Sequence, residues 1–210
     1  MNNKIIPAII AKNQNELDSK LARVINYVDL IQLDIMDNNF VPNSSLFFDF
    51  SLPKTNCKFE AHLMIKNPEE WIEKFGNKVD TILVHYESDF NIETLINLAK
   101  NLGKKFGFVL NPETKSQRIS EYIDVLDQVL IMTVNPGFYG STFLPDMLEK
   151  IREIRSMKET LNIEVDGGIT DKTIKLVEDA GANMFVSGSY IVKSENVLLA
   201  IKNLKEKLKN

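Results

Sequence analysis

The stretch NIEVDGGITDKTIKLVEDAGANMFVSGS, residues 162–189, decides the fold. It holds two short apolar runs, Asn162 to Asp166 and Met184 to Ser187, each followed by a glycine turn. Between them, from Asp171 to Ala180, apolar residues recur every three or four positions, so the stretch reads as strand, helix, strand. The preceding run, Gln128 to Thr133, also leads into a glycine turn, NPGFYGS (135–141). By contrast the first run, Ile5 to Ile10, passes into AKNQNE (11–16) with no glycine. An open dinucleotide-binding sheet carries its phosphate loop after the first strand, whereas a barrel carries its phosphate site after strands seven and eight. Glycines at the late strand ends therefore predict an α/β fold of the (β/α)8 TIM-barrel type.

The rest of the chain fits that reading. Further strands are expected at Asp29 to Ile35, Lys58 to Met64, Thr81 to His85 and Lys105 to Leu110, giving eight in all. Helices are expected at Gln14 to Asn26, Pro68 to Phe75, Ile92 to Leu102, Ser116 to Ile123, Leu144 to Lys158, Asp171 to Ala180 and Glu195 to Leu208, with an irregular piece at Pro42 to Leu52. At 210 residues the chain is expected to be one barrel domain, residues 1–210, near the lower size limit of the fold.

Composition narrows the function. There are 25 Lys and Arg against 29 Asp and Glu, interleaved rather than gathered in a stripe, so no nucleic-acid footprint is present. The start, MNNKIIPAIIAKN, lacks a basic n-region, a small-residue cleavage site and a spanning apolar run, so no membrane role is expected. The single Cys57 suits a reducing compartment, and cytoplasm is the expected location. With two histidines, His62 and His85, any centre needing three imidazoles is excluded.

In LIQLDIMD (30–37), period two puts Gln32, Asp34 and Met36 on one face and Ile31, Leu33 and Ile35 on the other. A carboxylate in so apolar a strand ligates a metal, pairs, does chemistry or caps the following loop, and the segment alone leaves these open. In EAHLM (60–64), His62 and Met64 share a face, and a histidine there serves packing or ligation. Asp166 precedes Gly167 and Gly168; the helical pattern that follows argues against a hairpin and for a phosphate cradle. Gly188 with Ser189, and Gly137 with Gly140, make two more such turns. Three at successive strand ends make a phosphorylated small molecule the leading ligand class.

These segments together resemble the ribulose-phosphate 3-epimerases and their close relatives, the allulose-6-phosphate 3-epimerases. The resemblance runs through IIPAIIA (5–11), LIQLDIMDNNFVPN (30–43), EAHLMIKNPE (60–69), ILVHYE (82–87), FVLNPET (108–114), LIMTVNPGFYGSTFLP (130–145), IEVDGG (163–168) and GANMFVSGS (181–189). It implies that Asp34 and Asp166 transfer protons on opposite faces of C3 of a ketose phosphate, most simply ribulose 5-phosphate and xylulose 5-phosphate. It also implies a divalent metal ion (Zn, Mn, Fe, Co or Mg) held by Asp34, His62 and Asp166. Gly137, Phe138, Tyr139, Gly140, Gly167, Gly168, Gly188 and Ser189 match the phosphate-binding turns, His62 also matches a substrate contact, and Met36, Met64 and Met132 match methionines over the intermediate. Plain core filling accounts for the methionines equally well.

Three positions depart from the family pattern. Gln32 stands where the family has a second histidine ligand, Ala8 where it has a substrate-contacting serine, and Asn38 where it has glycine. Gln32 ligating through its amide oxygen would shift preference from zinc-like ions toward harder ones. His85, with Glu87 beyond it, reads as a structural residue. The readings to separate are a pentulose-phosphate 3-epimerase, a hexulose-phosphate epimerase or other phosphosugar enzyme, and a binding protein that has lost catalysis. Association of such barrels into a homo-oligomer is left open by the sequence.

Overall fold

The computed structural model describes residues 3–137 and 140–209. Its strands, in chain order, are β1 (Lys4–Ile6), β2 (Ala8–Ile9), β3 (Leu30–Asp37), β4 (Ser44–Ser45), β5 (Lys58–Met64), β6 (Thr81–His85), β7 (Lys105–Leu110), β8 (Gln128–Met132), β9 (Asn162–Asp166) and β10 (Met184–Val186). All neighbours pair in parallel except β4, a short antiparallel addition to β3. The order β1-β10-β9-β8-β7-β6-β5-β3-β2 begins and ends on the first run of the chain, so the sheet closes on itself. The expected strand Ile5 to Ile10 is divided at Pro7, which has no N–H for a ladder; its carbonyl still accepts from Gln32 N–H at 3.0 Å. The result is a TIM barrel.

The helices are α1 (Gln14–Val24), α2 (Pro68–Phe75), α3 (Ile92–Asn101), α4 (Met147–Met157), α5 (Ile174–Ala180), α6 (Ser189–Val192) and α7 (Val197–Lys207). Asn13, Asn91 and Asn196 cap α1, α3 and α7 by accepting an N–H three residues on. The helix expected at Ser116 to Ile123 is a 3-10 segment over Ser116–Tyr122. Its buried residues, Ser116 and Ile119, are three apart, the spacing that a 3-10 turn aligns. No described helix is long and apolar enough to cross a membrane.

Burial on both strand faces explains why the runs are nearly continuously apolar. Outward residues such as Ile31, Leu33, Ile35, Ala61, Leu63, Ile82 and Val84 join the helices in the large core. Inward residues form smaller clusters, among them Ile6, Ala8, Leu30, Met184 and Val186, and across the barrel Leu83, Val109, Leu130, Met132 and Val134. At the strand starts, the side chain before one strand accepts the N–H of its neighbour: Asp80 from Phe59, Asp127 from Phe106 and Asn183 from Ile163. Those contacts fix the register that brings distant side chains level at the opposite end.

Candidate active site

Register places the site. Gln32 lies beside Glu60, Asp34 beside His62 and Met36 beside Met64 along β3 and β5, while Met132 lies beside Asp166 along β8 and β9. Inward alternation then gathers Asp34, His62, Asp166, Met36, Met64 and Met132 at the C-terminal mouth, on the wall of a cavity of about 260 Å³. Ala8, Gly137, Gly140, Gly167, Gly168, Gly188 and Ser189 line the same cavity. Of the residues expected from sequence, Phe138 and Tyr139 lie outside the described residues, and Gln32 sits just beneath the wall, fully buried. Sequence reading missed Ile10, Val134, Pro136, Ser141, Ile169 and Thr170 on the wall. Most adjoin the glycine turns, and that adjacency was the available signal.

The turns are built for close approach. Gly167 has φ +116, and a Cβ there would lie 2.3 Å from Val134 Cγ2; its carbonyl accepts from the Thr133 hydroxyl. Asn43 Nδ2 donates to the Gly137 carbonyl at 2.9 Å, tying the loop after β3 to the loop after β8. Asn38, where the family pattern has glycine, takes φ 62, a left-handed conformation that asparagine tolerates better than most residues. That replacement therefore keeps the backbone path.

One atom of Gln32 organises the centre. Its Nε2 donates to Asp34 Oδ1 and to Asp166 Oδ2, both at 2.8 Å, and lies 3.3 Å from His62 Nδ1. His62 Nδ1 is in turn 3.2 Å from Asp34 Oδ1 and 3.4 Å from Asp166 Oδ2. Ligand atoms about 2.1 Å from a shared ion stand about 3.0 to 3.4 Å apart, depending on geometry; the three His62 contacts fall in that range, and the two Gln32 contacts to the carboxylates lie just below it. Among the described residues, Asp34, His62 and Asp166 form a group able to hold a metal ion. Gln32 Oε1 is buried with no hydrogen-bond partner as the amide now stands, and turning the amide over would present that oxygen to the same group. The donor set, two carboxylate oxygens, one imidazole and one amide oxygen, fits a divalent cation.

The electrostatics point the same way. Burial, together with the charge of Asp166, raises the carboxyl of Asp34 above its ordinary value, although His62 and Gln32 oppose the shift. Burial pulls His62 down, but its hydrogen bonds to Asp166 and Asp34 win and hold it up at about 9. A buried and a half-buried carboxylate thus stand together around one imidazole, an arrangement that favours positive charge between them. Beyond His62, burial pushes His85 down to about 4. Burial also opposes the charge of Glu87, yet hydrogen bonds from His85 and Thr114 keep it below the usual carboxylate range.

Fold and site together define a TIM barrel with a paired-carboxylate centre at its mouth whose Asp34, His62 and Asp166 could hold a cation. Residues 4–192 match the model of the ribulose-phosphate 3 epimerase family, and the chain belongs to that family. The ribulose-phosphate 3-epimerase of Bacillus subtilis is 38% identical over 212 residues, spanning 96% of this chain and 98% of that one. The chloroplastic ribulose-5-phosphate-3-epimerase of Arabidopsis thaliana is 37% identical, spanning 96% of this chain and 75% of that one. Among solved structures, 3-keto-L-gulonate-6-phosphate decarboxylase from Vibrio cholerae superposes with a TM-score of 0.71 at 16% identity, covering 100% of this chain and 98% of that chain, a likeness of fold alone.

Proposed function

We propose that this protein is a ketose-phosphate 3-epimerase, an isomerase that interconverts D-ribulose 5-phosphate and D-xylulose 5-phosphate within a single barrel domain. The observation that carries the reading is the pair Asp34 and Asp166, brought from β3 and β9 into one cavity rimmed by glycine turns. Gly137, Gly140, Gly167, Gly168, Gly188 and Ser189 receive the phosphate, which places the C2 ketone and C3 over the carboxylates. One aspartate takes the C3 proton; the electron pair enters the C2–C3 bond and charge collects on the C2 oxygen. The other aspartate, entering protonated, delivers its proton to the opposite face of C3, so the centre inverts and the two carboxyls exchange protonation states. The raised carboxyl of Asp34 suits it to hold such a proton.

A divalent cation held by Asp34, His62, Asp166 and the turned amide of Gln32 would supply Lewis-acid stabilisation of the developing oxyanion. Met36, Met64 and Met132 exclude water from the reacting carbons. A cytoplasmic location fits the free, buried Cys57. The test is turnover in D2O. Wild type incorporates deuterium at C3, and Asp34→Asn and Asp166→Asn each slow epimerisation by about 100-fold or more. Unslowed variants refute the roles; running pentulose and hexulose phosphates side by side reads the preferred chain length.

A further inference from the structure

We propose that His85 and Glu87 are positioning residues for the cation site, fixing the tautomer of His62 so that its Nδ1 lone pair faces Asp34 and Asp166. The inference rests on the metal reading given above. His62 Nε2 and His85 Nε2 are 2.9 Å apart with both side chains fully buried, so one nitrogen must donate and the other accept. The far side of His85 settles which. Its Nδ1 lies 3.3 Å from Glu87 Oε2, and a carboxylate only accepts, so the proton of a neutral His85 sits on Nδ1. His85 Nε2 is then a lone pair, and His62 Nε2–H donates to it. What remains on His62 is Nδ1, the atom that faces the two aspartates.

Glu87 is itself held. Its Oε1 accepts from the Asn111 N–H at 3.0 Å and from the Thr114 hydroxyl. That loop is fastened by Lys150 of α4, whose ammonium donates to the Asn111 and Pro112 carbonyls at 2.8 Å each. Phe40 covers the other side of His85, with ring centroids 4.6 Å apart. The FVLNPET segment contributes no residue to the cavity wall, and this anchoring gives it a role. The chain Lys150, Asn111–Thr114, Glu87, His85, His62 thus runs from an outer helix to the centre, and partners of this kind typically change metal affinity by about 10- to 100-fold when lost.

The chain's two histidines make the test direct, because they give only two imidazole signals. Long-range 1H–15N spectra of the full chain loaded with Zn2+, a diamagnetic probe, should show His85 protonated at Nδ1 and His62 protonated at Nε2. Zn2+ affinity, read by competition with a chelator, should fall by about 10- to 100-fold in His85→Phe. It should largely recover in His85→Gln, whose amide oxygen can still accept. His85 protonated at Nε2, or unchanged affinity in a folded His85→Phe, overturns the proposal; should that variant not fold, the wild-type spectra decide alone. A wild-type chain that takes up no divalent cation overturns the metal reading as well.

Discussion

Gln32 is the residue whose replacement tests most of the argument at once. Gln32→Leu keeps the volume roughly constant and deletes the amide. Two hydrogen bonds at 2.8 Å to the carboxylates of Asp34 and Asp166 disappear, and bonds to charged groups contribute about 1.5–3 kcal/mol each. Against that, the buried Oε1 has no partner, and removing it recovers about 1–3 kcal/mol. The balance is a loss of about 2 kcal/mol in chelator-treated protein. For a chain of this length that corresponds to a fall in Tm of roughly 4–8 °C. Under the proposed metal site the variant also lacks a fourth ligand, so saturating Mn2+ should raise its Tm by less than it raises that of wild type. Gln32→His restores an imidazole, and Zn2+ should stabilise it more strongly than it stabilises wild type. Calorimetry of all three proteins with chelator, Mn2+ and Zn2+ reads both effects. An unchanged Tm in chelator, together with an unchanged Mn2+ response in Gln32→Leu, would show that the amide neither tethers the carboxylates nor ligates.

Two further outcomes follow from packing and from charge. Gly107 lies on β7 beside Gln128 of β8, and a Cβ there would stand 2.4 Å from the Gln128 carbonyl oxygen and 2.9 Å from Leu83 Cδ2. Gly107→Ala should therefore cost about 3 kcal/mol, the upper part of the range for overpacking, and lower Tm by roughly 6–12 °C; a melt within about 2 °C of wild type would mean that the β7–β8 pairing yields. Burial, with the charges of Asp29 and Asp80, pushes the Cys57 thiol up to about 11. At pH 8 only about one thiol in a thousand is then ionised, so a thiol-specific disulfide reagent should react with native protein roughly 100-fold more slowly than with urea-unfolded protein. Reaction at equal rates would contradict the burial.

Sequence reading was strongest where burial on two faces leaves an uninterrupted apolar run. The expected limits of Lys58–Met64, Thr81–His85, Lys105–Leu110 and Asn162–Asp166 are those observed. Asp34, His62 and Asp166 were legible because inward alternation can be counted from each strand's end, and register then makes them level. The segment Ser116–Tyr122 was less legible, since a 3-10 turn and a short helix bury similarly spaced residues. The least legible features were those depending on pairs far apart in the chain. Gln32 read as a replaced ligand, and only the fold shows its amide spanning carboxylates on β3 and β9. His85 read as structural, because its contact with His62 crosses 23 positions and its orientation is set by a loop further on.

Among the described residues, Asp34, Glu60, Glu164 and Asp166 point into the barrel interior, and their depth along the strands separates their environments. Glu60 and Glu164 lie two residues before His62 and Asp166, one inward step deeper, and both are fully buried. Burial lifts Glu60 to about 7 and Glu164 well above the ordinary range, although Gln128 Nε2 donates to both. Burial thus favours the neutral form of both deeper acids, which weakens that layer as a cation site. The outer layer differs because it opens on the cavity and has His62 and the Gln32 amide between its acids. A Glu at the deeper step and an Asp at the outer step of β9 are thus chemically unlike for a positional reason: one faces a packed interior and the other a solvent-accessible cavity. Moving a carboxylate one inward step along the strand would exchange a cavity-facing acid for one enclosed in the packed interior.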